Sequence, residues 1–254
     1  MRRIVLFLLL LSLILVLGCS ESSVSYKNTV VFFDVGQGDC CLIVTDSGRG
    51  ILIDTGDGIS SEKISSKLSR YNIHSLELLV LTHGHDDHVG GFPDLITDID
   101  IKRIITLEGT LNAIDTKRAE LKGSQITTVL SGDSFTVDNV TLDVLWPYGV
   151  SDSVENDYCI VLKAVVNGKI FAFTGDVGVN EERSLLDSGV DLKSDVLKVG
   201  HHGSSGSSSE EFIAAVDPAV AVISVGKNNS YGLPDKEVRN ASPSAISGHG
   251  SACT

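Results

Sequence analysis

What is scarce in this chain of 254 residues narrows its nature first. Cationic side chains are few: Lys plus Arg total 20 against 33 Asp plus Glu, a formal charge of −13. So acidic a chain exerts no general attraction on nucleic acid, and any polyanion has to be held by local loops or bound cations. Cysteine is also sparse, with 5 residues unevenly placed. Cys40 and Cys41 are adjacent in an apolar stretch, Cys159 falls in an expected strand and Cys253 near the end of the sequence. That pattern excludes a disulfide framework and suits small core residues. Long apolar runs are missing beyond residues 4–17, and that run is too short for a spanning helix. Histidine is scarce too, 7 in all, which makes its clustering informative.

The N-terminal run follows Met1-Arg2-Arg3 and ends in Val16-Leu17-Gly18-Cys19. A charged start and a short apolar core are the pattern of a secretory signal. The ending resembles the bacterial lipobox, in which the cysteine receives lipid after cleavage in front of it. The sequence thus predicts a lipoprotein signal peptide over 1–18 and a polar tether over 19–27. It places the remainder outside the cytoplasmic membrane of a prokaryote, anchored through a lipid on Cys19. With 42% hydrophobic residues, the chain can bury a large core, assigned to one domain over 28–238.

Three of the histidines lie in Thr82-His83-Gly84-His85-Asp86-Asp87-His88, directly after the apolar run Leu78-Leu79-Val80-Leu81. Such a run reads as a buried strand. Residues two apart in an extended chain point the same way, so His83 and His85 can converge on one cation. Asp87 and His88 lie where the chain should turn into a helix and can serve a second cation, while Asp86 is expected to face away. Imidazole and carboxylate suit zinc, manganese or iron, and the lack of a nearby cysteine argues against a structural zinc site.

Around this loop the chain alternates strands and helices. Val30-Val31-Phe32-Phe33 and Cys40-Cys41-Leu42-Ile43-Val44 read as strands about a glycine-containing turn. Asp34, Gln37 and Asp39 on that turn either belong to a plain hairpin or line a site. Ile51-Leu52-Ile53 is a third strand ending at Asp54, which is expected to brace a neighbouring loop by accepting hydrogen bonds. Ile64, Leu68 and Tyr71 have helical spacing, Pro93, Leu95, Ile96 and Ile99 suggest a short helix, and residues 110–124 carry a weaker helical signal. A second group of strands begins near Phe135, with a hairpin expected about Asn167-Gly168. Phe171-Ala172-Phe173-Thr174-Gly175-Asp176 ends one strand in a carboxylate, and Val196-Leu197-Lys198-Val199-Gly200 ends another at His201-His202-Gly203-Ser204. Ser208-Ser209-Glu210-Glu211 reads as a capping box opening a helix through Val216, and residues 219–225 form a last buried strand. Strands, helix and strands occurring twice suggest an α+β fold of two face-to-face sheets with helices outside.

Taken together, Asp34-Val35-Gly36-Gln37-Gly38-Asp39, Ile53-Asp54-Thr55-Gly56, the His-rich loop, Thr174-Gly175-Asp176, Lys198-Val199-Gly200-His201-His202-Gly203-Ser204 and Gly226-Lys227-Asn228-Asn229-Ser230-Tyr231-Gly232 resemble the metallo-beta-lactamase fold superfamily. Within it they are most similar to the extracytoplasmic hydrolase domain of ComEC competence proteins and its stand-alone relatives. The resemblance implies a four-layer αββα sandwich with two divalent cations, Zn or Mn, at one edge. By position, His83 and His85 would bind the first cation and Asp87 and His88 the second. Asp176 would bridge them, and a histidine of the His201-His202 pair would complete the ligands of the second cation, with His201 preferred. Asp87 and Asp176 would then be the catalytic carboxylates. The first cation's usual third histidine has no match, and Asn156 or Asp157 occupies its region. Leu233 stands where the branch has a further histidine. Residues 239–254 lack apolar periodicity and are expected to be a disordered tail in place of the family's closing helix and strand.

The resemblance implies hydrolysis of a phosphodiester, most readily DNA, by water activated between two cations. Gln37, Ser204, Lys227, Asn228 and Tyr231 are candidates for binding substrate, and competence or DNA-uptake proteins are candidate partners. Two other readings stand beside it. One is a hydrolase of a small cell-envelope ester or a beta-lactam, which the acidic composition suits. The other is a decayed, non-catalytic binding protein, suggested by Leu233 and the altered tail.

Overall fold

The computed structural model describes residues 25–59, 62–114, 116–151, 155–241, 245–247 and 252–253. The expected signal peptide and Cys19 lie outside the described residues. The first apolar runs form β1 (Thr29–Phe32), β2 (Cys41–Val44) and β3 (Gly50–Ile53), joined antiparallel. The helix Ile64–Ser69 carries the chain over to β4 (Ser75–Val80), which lies parallel to β3. β5 (Asp100–Ile101), β6 (Arg103–Thr106) and β7 (Gln125–Thr128) extend the sheet in the same direction. Their crossovers run through the helices Phe92–Asp98 and Thr116–Leu121.

The second sheet begins as an antiparallel meander, β8 (Ser134–Val137), β9 (Val140–Trp146), β10 (Val161–Val166) and β11 (Lys169–Phe173). The β10–β11 hairpin turns at Asn167-Gly168 as expected. β12 (Val196–Lys198) and β13 (Val220–Ile223) are then added in parallel after the helices Val179–Ser188 and Glu210–Val216. Ser209 caps the latter by accepting from Phe212 N.

Three apolar clusters fix the layering. Ile43, Val80, Leu142 and Leu162 pack between the two sheets. Leu52, Leu79, Leu68 and Phe92 fill the space between the first sheet and its helices, and Leu185, Leu197 and Phe212 do so for the second. β1, β2 and β3 are buried on both faces, which explains why they read as continuous apolar runs rather than alternating ones. The fold is the expected αββα sandwich.

Three regions differ from the sequence reading. β7 is a mostly exposed edge strand and carries no apolar alternation to reveal it. The helix Val179–Ser188 buries Glu182 beside Leu185, so its inward face looks polar in sequence. The tail needs correction. The chain forms a helix at Lys236–Ala241, then β14 (Ala245–Ser247) parallel to β13 and β15 (Ala252–Cys253) antiparallel to β1. An open sheet edge offers a row of unpaired N–H and C=O groups, so segments of two or three residues can pair there without any apolar pattern. Among the described residues, no helix is long and apolar enough to cross a membrane.

Candidate metal centre

The strand ends of the two sheets converge at one edge. At the end of β3, Asp54 is buried in a left-handed conformation, φ 58°. It accepts from Thr82 N at 2.8 Å and Thr82 Oγ1 at 2.7 Å, the bracing expected of it. Its Oδ2 also lies 2.8 Å from His88 Nδ1. That contact makes Nδ1 the donor and turns Nε2 of the same ring towards the site, the arrangement by which a carboxylate orients a ligating histidine. Burial raises the Asp54 pKa, and His88 and Thr82 offset part of that rise.

His83 and His85 do meet, with Nε2 of the first 3.2 Å from Nδ1 of the second. His83 is fully buried, and its ring centre is 4.1 Å from that of His88. Burial, joined by the nearby His88, holds the His83 pKa well below the ordinary imidazole range, so it is the neutral ring a cation requires. Asp86 opens the short helix Asp86–Val89 and borders the cleft rather than turning away from it.

From the second half come Asp176, just past β11, and the turn Gly200–Gly203 after β12. Within that turn His201 and His202 have φ of 46° and 54°. Left-handed conformations cost non-glycine residues about 1 to 2 kcal/mol each, so neighbouring contacts must hold this pair. The outcome corrects the preference for His201. It is His202 that reaches inward, with Nε2 3.0 Å from Asp87 Oδ2 and 3.5 Å from Asp176 Oδ2. Its Nδ1 lies 2.9 Å from the Ser224 carbonyl, to which it donates. His201 turns instead to Asn156, Nε2 to Nδ2 3.1 Å. Two adjacent histidines look alike in sequence, and the left-handed backbone together with the Ser224 carbonyl turns His202 inward.

The donor atoms of Asp87, His88, Asp176 and His202 all lie within 4.8 Å of one another. His88 Nε2 and Asp176 Oδ1 are buried, 3.3 Å apart, and without a hydrogen-bond partner. Two orphaned donor atoms facing one point beside two further ligand-type side chains fit a bound cation. The electrostatics are those of a strongly negative pocket, in which a proton on His88 and a cation would compete for the same place. Burial opposes the charged His88, but Asp176 and Asp54 outweigh it and hold its pKa well above normal. Burial likewise opposes ionised Asp176, yet His88, His202 and His83 bring its pKa well below the carboxylate range. Asp87 is held at about 2, where desolvation is overcome by the His202 hydrogen bond and the His88 charge.

Asp87, Asp176 and His202 of the cluster, with His85, line a cleft of about 520 Å³. Gln37 and Tyr231 line it, although Gln37 Oε1 is engaged by Gly226 N at 3.0 Å. Leu233 lines it too, and so do Asn156 and His201. Ser204, Lys227 and Asn228 are not among the lining residues, and the latter two are exposed. Those two sit past the β13 strand end, where the loop carries Tyr231 but not its earlier residues into the cleft. Asp57 and Ile59 form part of the wall that the sequence did not reveal.

This sandwich, with a His/Asp cluster at the shared edge of its sheets, defines a class. Residues 33–227 match the Metallo-beta-lactamase superfamily, and the chain belongs to it. It is 33% identical over 235 residues to ComE operon protein 3 of Bacillus subtilis (strain 168), covering 84% of this chain and 30% of that protein. It is 32% identical over 213 residues to Competence protein ComA of Neisseria gonorrhoeae, covering 83% and 29%. The chain thus spans less than a third of the length of these relatives. Among solved structures it resembles the metallo-beta-lactamase fold protein YhfI from Bacillus subtilis, with a TM-score of 0.62 and 12% identity over 89% of this chain and 99% of that one, a likeness of fold.

Proposed function

We propose that the chain is a metal-dependent phosphodiesterase, acting on DNA outside the cytoplasmic membrane. The observation that carries the hydrolase reading is the pair of orphaned buried atoms, His88 Nε2 and Asp176 Oδ1, beside Asp87 and His202 at the floor of an open cleft. The phosphodiester reading draws on similarity to competence proteins. His83 and His85 would hold one divalent cation, Asp87, His88 and His202 the other, with Asp176 between them. Zinc or manganese there would supply Lewis-acid stabilisation of a phosphoryl oxygen and a lowered pKa for water.

The protein's own groups prepare the site. Asp54 fixes the His88 tautomer, and the Ser224 carbonyl fixes that of His202, so both rings present Nε2. Asp87 and Asp176 stay ionised, supplying the negative charge that balances the cations. Gln37 and Tyr231 border the space in which a substrate would sit. The same reading puts the domain at the membrane through a lipid on Cys19, with competence or DNA-uptake proteins as partners.

One observation favours a second reading. The described lining of the cleft includes Asp57, Asp86, Asp87 and Asp176 and no Lys or Arg, which suits a small ester or beta-lactam better than a long polyanion. Assay of the metal-loaded protein on single-stranded DNA, bis-p-nitrophenyl phosphate and nitrocefin separates the two. Cleavage of the first two, lost by more than 100-fold in Asp176→Ala and His85→Ala, is expected; cleavage of nitrocefin alone would end the phosphodiester reading. A folded protein that binds no cation would make it a non-catalytic member of the superfamily.

A further inference from the structure

Behind His202, on the side away from the cleft, lies a charge pair with no part in the scheme above. Lys198, the last residue of β12, is 3% exposed, and its Nζ lies 2.7 Å from Asp39 Oδ2 and donates to the Val199 carbonyl at 2.7 Å. Asp39 is 6% exposed and comes from the other half of the molecule, on the loop between β1 and β2. A buried ion pair is no better for stability than a well-packed apolar pair, so its place in the fold is the informative part.

That place touches two of the cluster's residues. Asp39 N donates to the Asp87 carbonyl at 3.0 Å, and Asp39 O accepts from Gly56 N at 2.8 Å. The approach is so close that a Cβ on Gly38, at φ 127°, would stand 2.2 Å from the Asp87 carbonyl oxygen. On its other side, Asp39 Oδ1 is buried, unpartnered and 3.7 Å from His202 Nδ1. His202 Nδ1–H therefore has two acceptors within reach, the Ser224 carbonyl at 2.9 Å and the Asp39 carboxylate at 3.7 Å. Donation to Ser224 is the choice seen with Nε2 directed at Asp87 and Asp176. A carboxylate is the stronger acceptor, and an unneutralised Asp39 would draw the ring away. Lys198 occupies that carboxylate and removes most of its pull.

We propose that Lys198 and Asp39 are positioning residues: Lys198 neutralises Asp39 so that His202 stays on Ser224, while the Asp39 backbone holds Asp87 against it. The pair sets the distance between two ligands that come from opposite halves of the sandwich. This rests on the cation-site reading above, and the two can fail separately.

The test measures Co²⁺ affinity by competition with a chromophoric chelator, and the visible spectrum of bound Co²⁺, alongside thermal unfolding. Lys198→Met is expected to weaken Co²⁺ roughly 10- to 100-fold, the range for residues that orient metal ligands, and to change the spectrum. Asp39→Asn alone is expected to change affinity by less than about 3-fold, since the backbone contact to Asp87 stays and the pull on His202 is gone. The double variant Lys198→Met/Asp39→Asn is expected to recover most of the loss. A merely structural pair would lower the unfolding temperature in both single variants and leave Co²⁺ affinity unchanged. Unchanged affinity in folded Lys198→Met, or no recovery in the double variant, overturns the proposal. Should Lys198→Met not fold, Lys198→Gln, which keeps an N–H donor without the charge, replaces it with a loss of at least about 5-fold expected, and unchanged affinity overturns the proposal equally. His88→Ala serves as the control: if it binds Co²⁺ as tightly as the unaltered protein, the cation-site reading itself fails.

Discussion

At the scale of single residues, the site depends on side chains that never meet a substrate. Asp54 is the clearest case, because one buried carboxylate accepts from Thr82 twice and orients His88. Asp54→Ala would strand the Thr82 amide and His88 Nδ1 in the interior. Leaving buried donors unsatisfied costs about 1 to 3 kcal/mol each, so a loss of roughly 3 kcal/mol in urea unfolding is expected. Cation affinity should fall with it, since His88 loses its orientation. The strand-terminal position of Asp54 was visible in the sequence, but its third partner, His88, became visible only once two strand ends were placed side by side.

At the scale of elements, polar anchors join segments that the apolar pattern leaves undefined. Glu182, within the helix Val179–Ser188, accepts from Ser208 N and from Ser209 N, the latter at 2.8 Å. It fastens the loop after His202 to that helix. Glu182→Ala should cost about 1 to 3 kcal/mol for the freed amides, read as a lower urea midpoint. Asp195 joins three strands: its side chain takes Lys169 Nζ at 2.8 Å and Ile170 N at 2.9 Å, and its carbonyl takes Ala219 N at 3.0 Å. Its pKa is lowered by the hydrogen bond from Lys169 and then by that from Ile170. A carboxylate depressed in the folded state contributes stability above its unfolded pKa, about 3.9, and loses it as pH falls through the folded value. Unfolding midpoints of Asp195→Asn and the unaltered protein should therefore differ at pH 7 and draw together as pH falls below about 3.9 and on through the lower folded-state value. A gap that persists at acid pH would mean that the carboxylate charge is not what holds these strands.

At the scale of the whole molecule, the site belongs to neither half. His83, His85, Asp87 and His88 come from the first sheet's edge, Asp176 and His202 from the second's, and Asp39 and Lys198 meet across the join. A cation bound there ties the two halves, and a ligand that binds only the folded state stabilises it by mass action. With free Zn²⁺ at 100 times its dissociation constant the gain is about 2.7 kcal/mol, so chelation should lower the unfolding temperature reversibly. No shift on chelation and reloading would contradict a cation bridging the halves. The sequence by itself determined the two groups of strands, the buried apolar runs, the clustering of ligand-type side chains from His83 to His88 and the family likeness, because local periodicity and strand-end chemistry are written in consecutive residues. It did not determine β7, the polar-faced helix Val179–Ser188 or the edge pairing of the tail, where backbone hydrogen bonds rather than apolar spacing select the structure. Nor could it choose between His201 and His202. Only the tertiary structure decided that, because the choice depends on two left-handed residues, the Ser224 carbonyl and a charge pair whose members lie far apart in the chain.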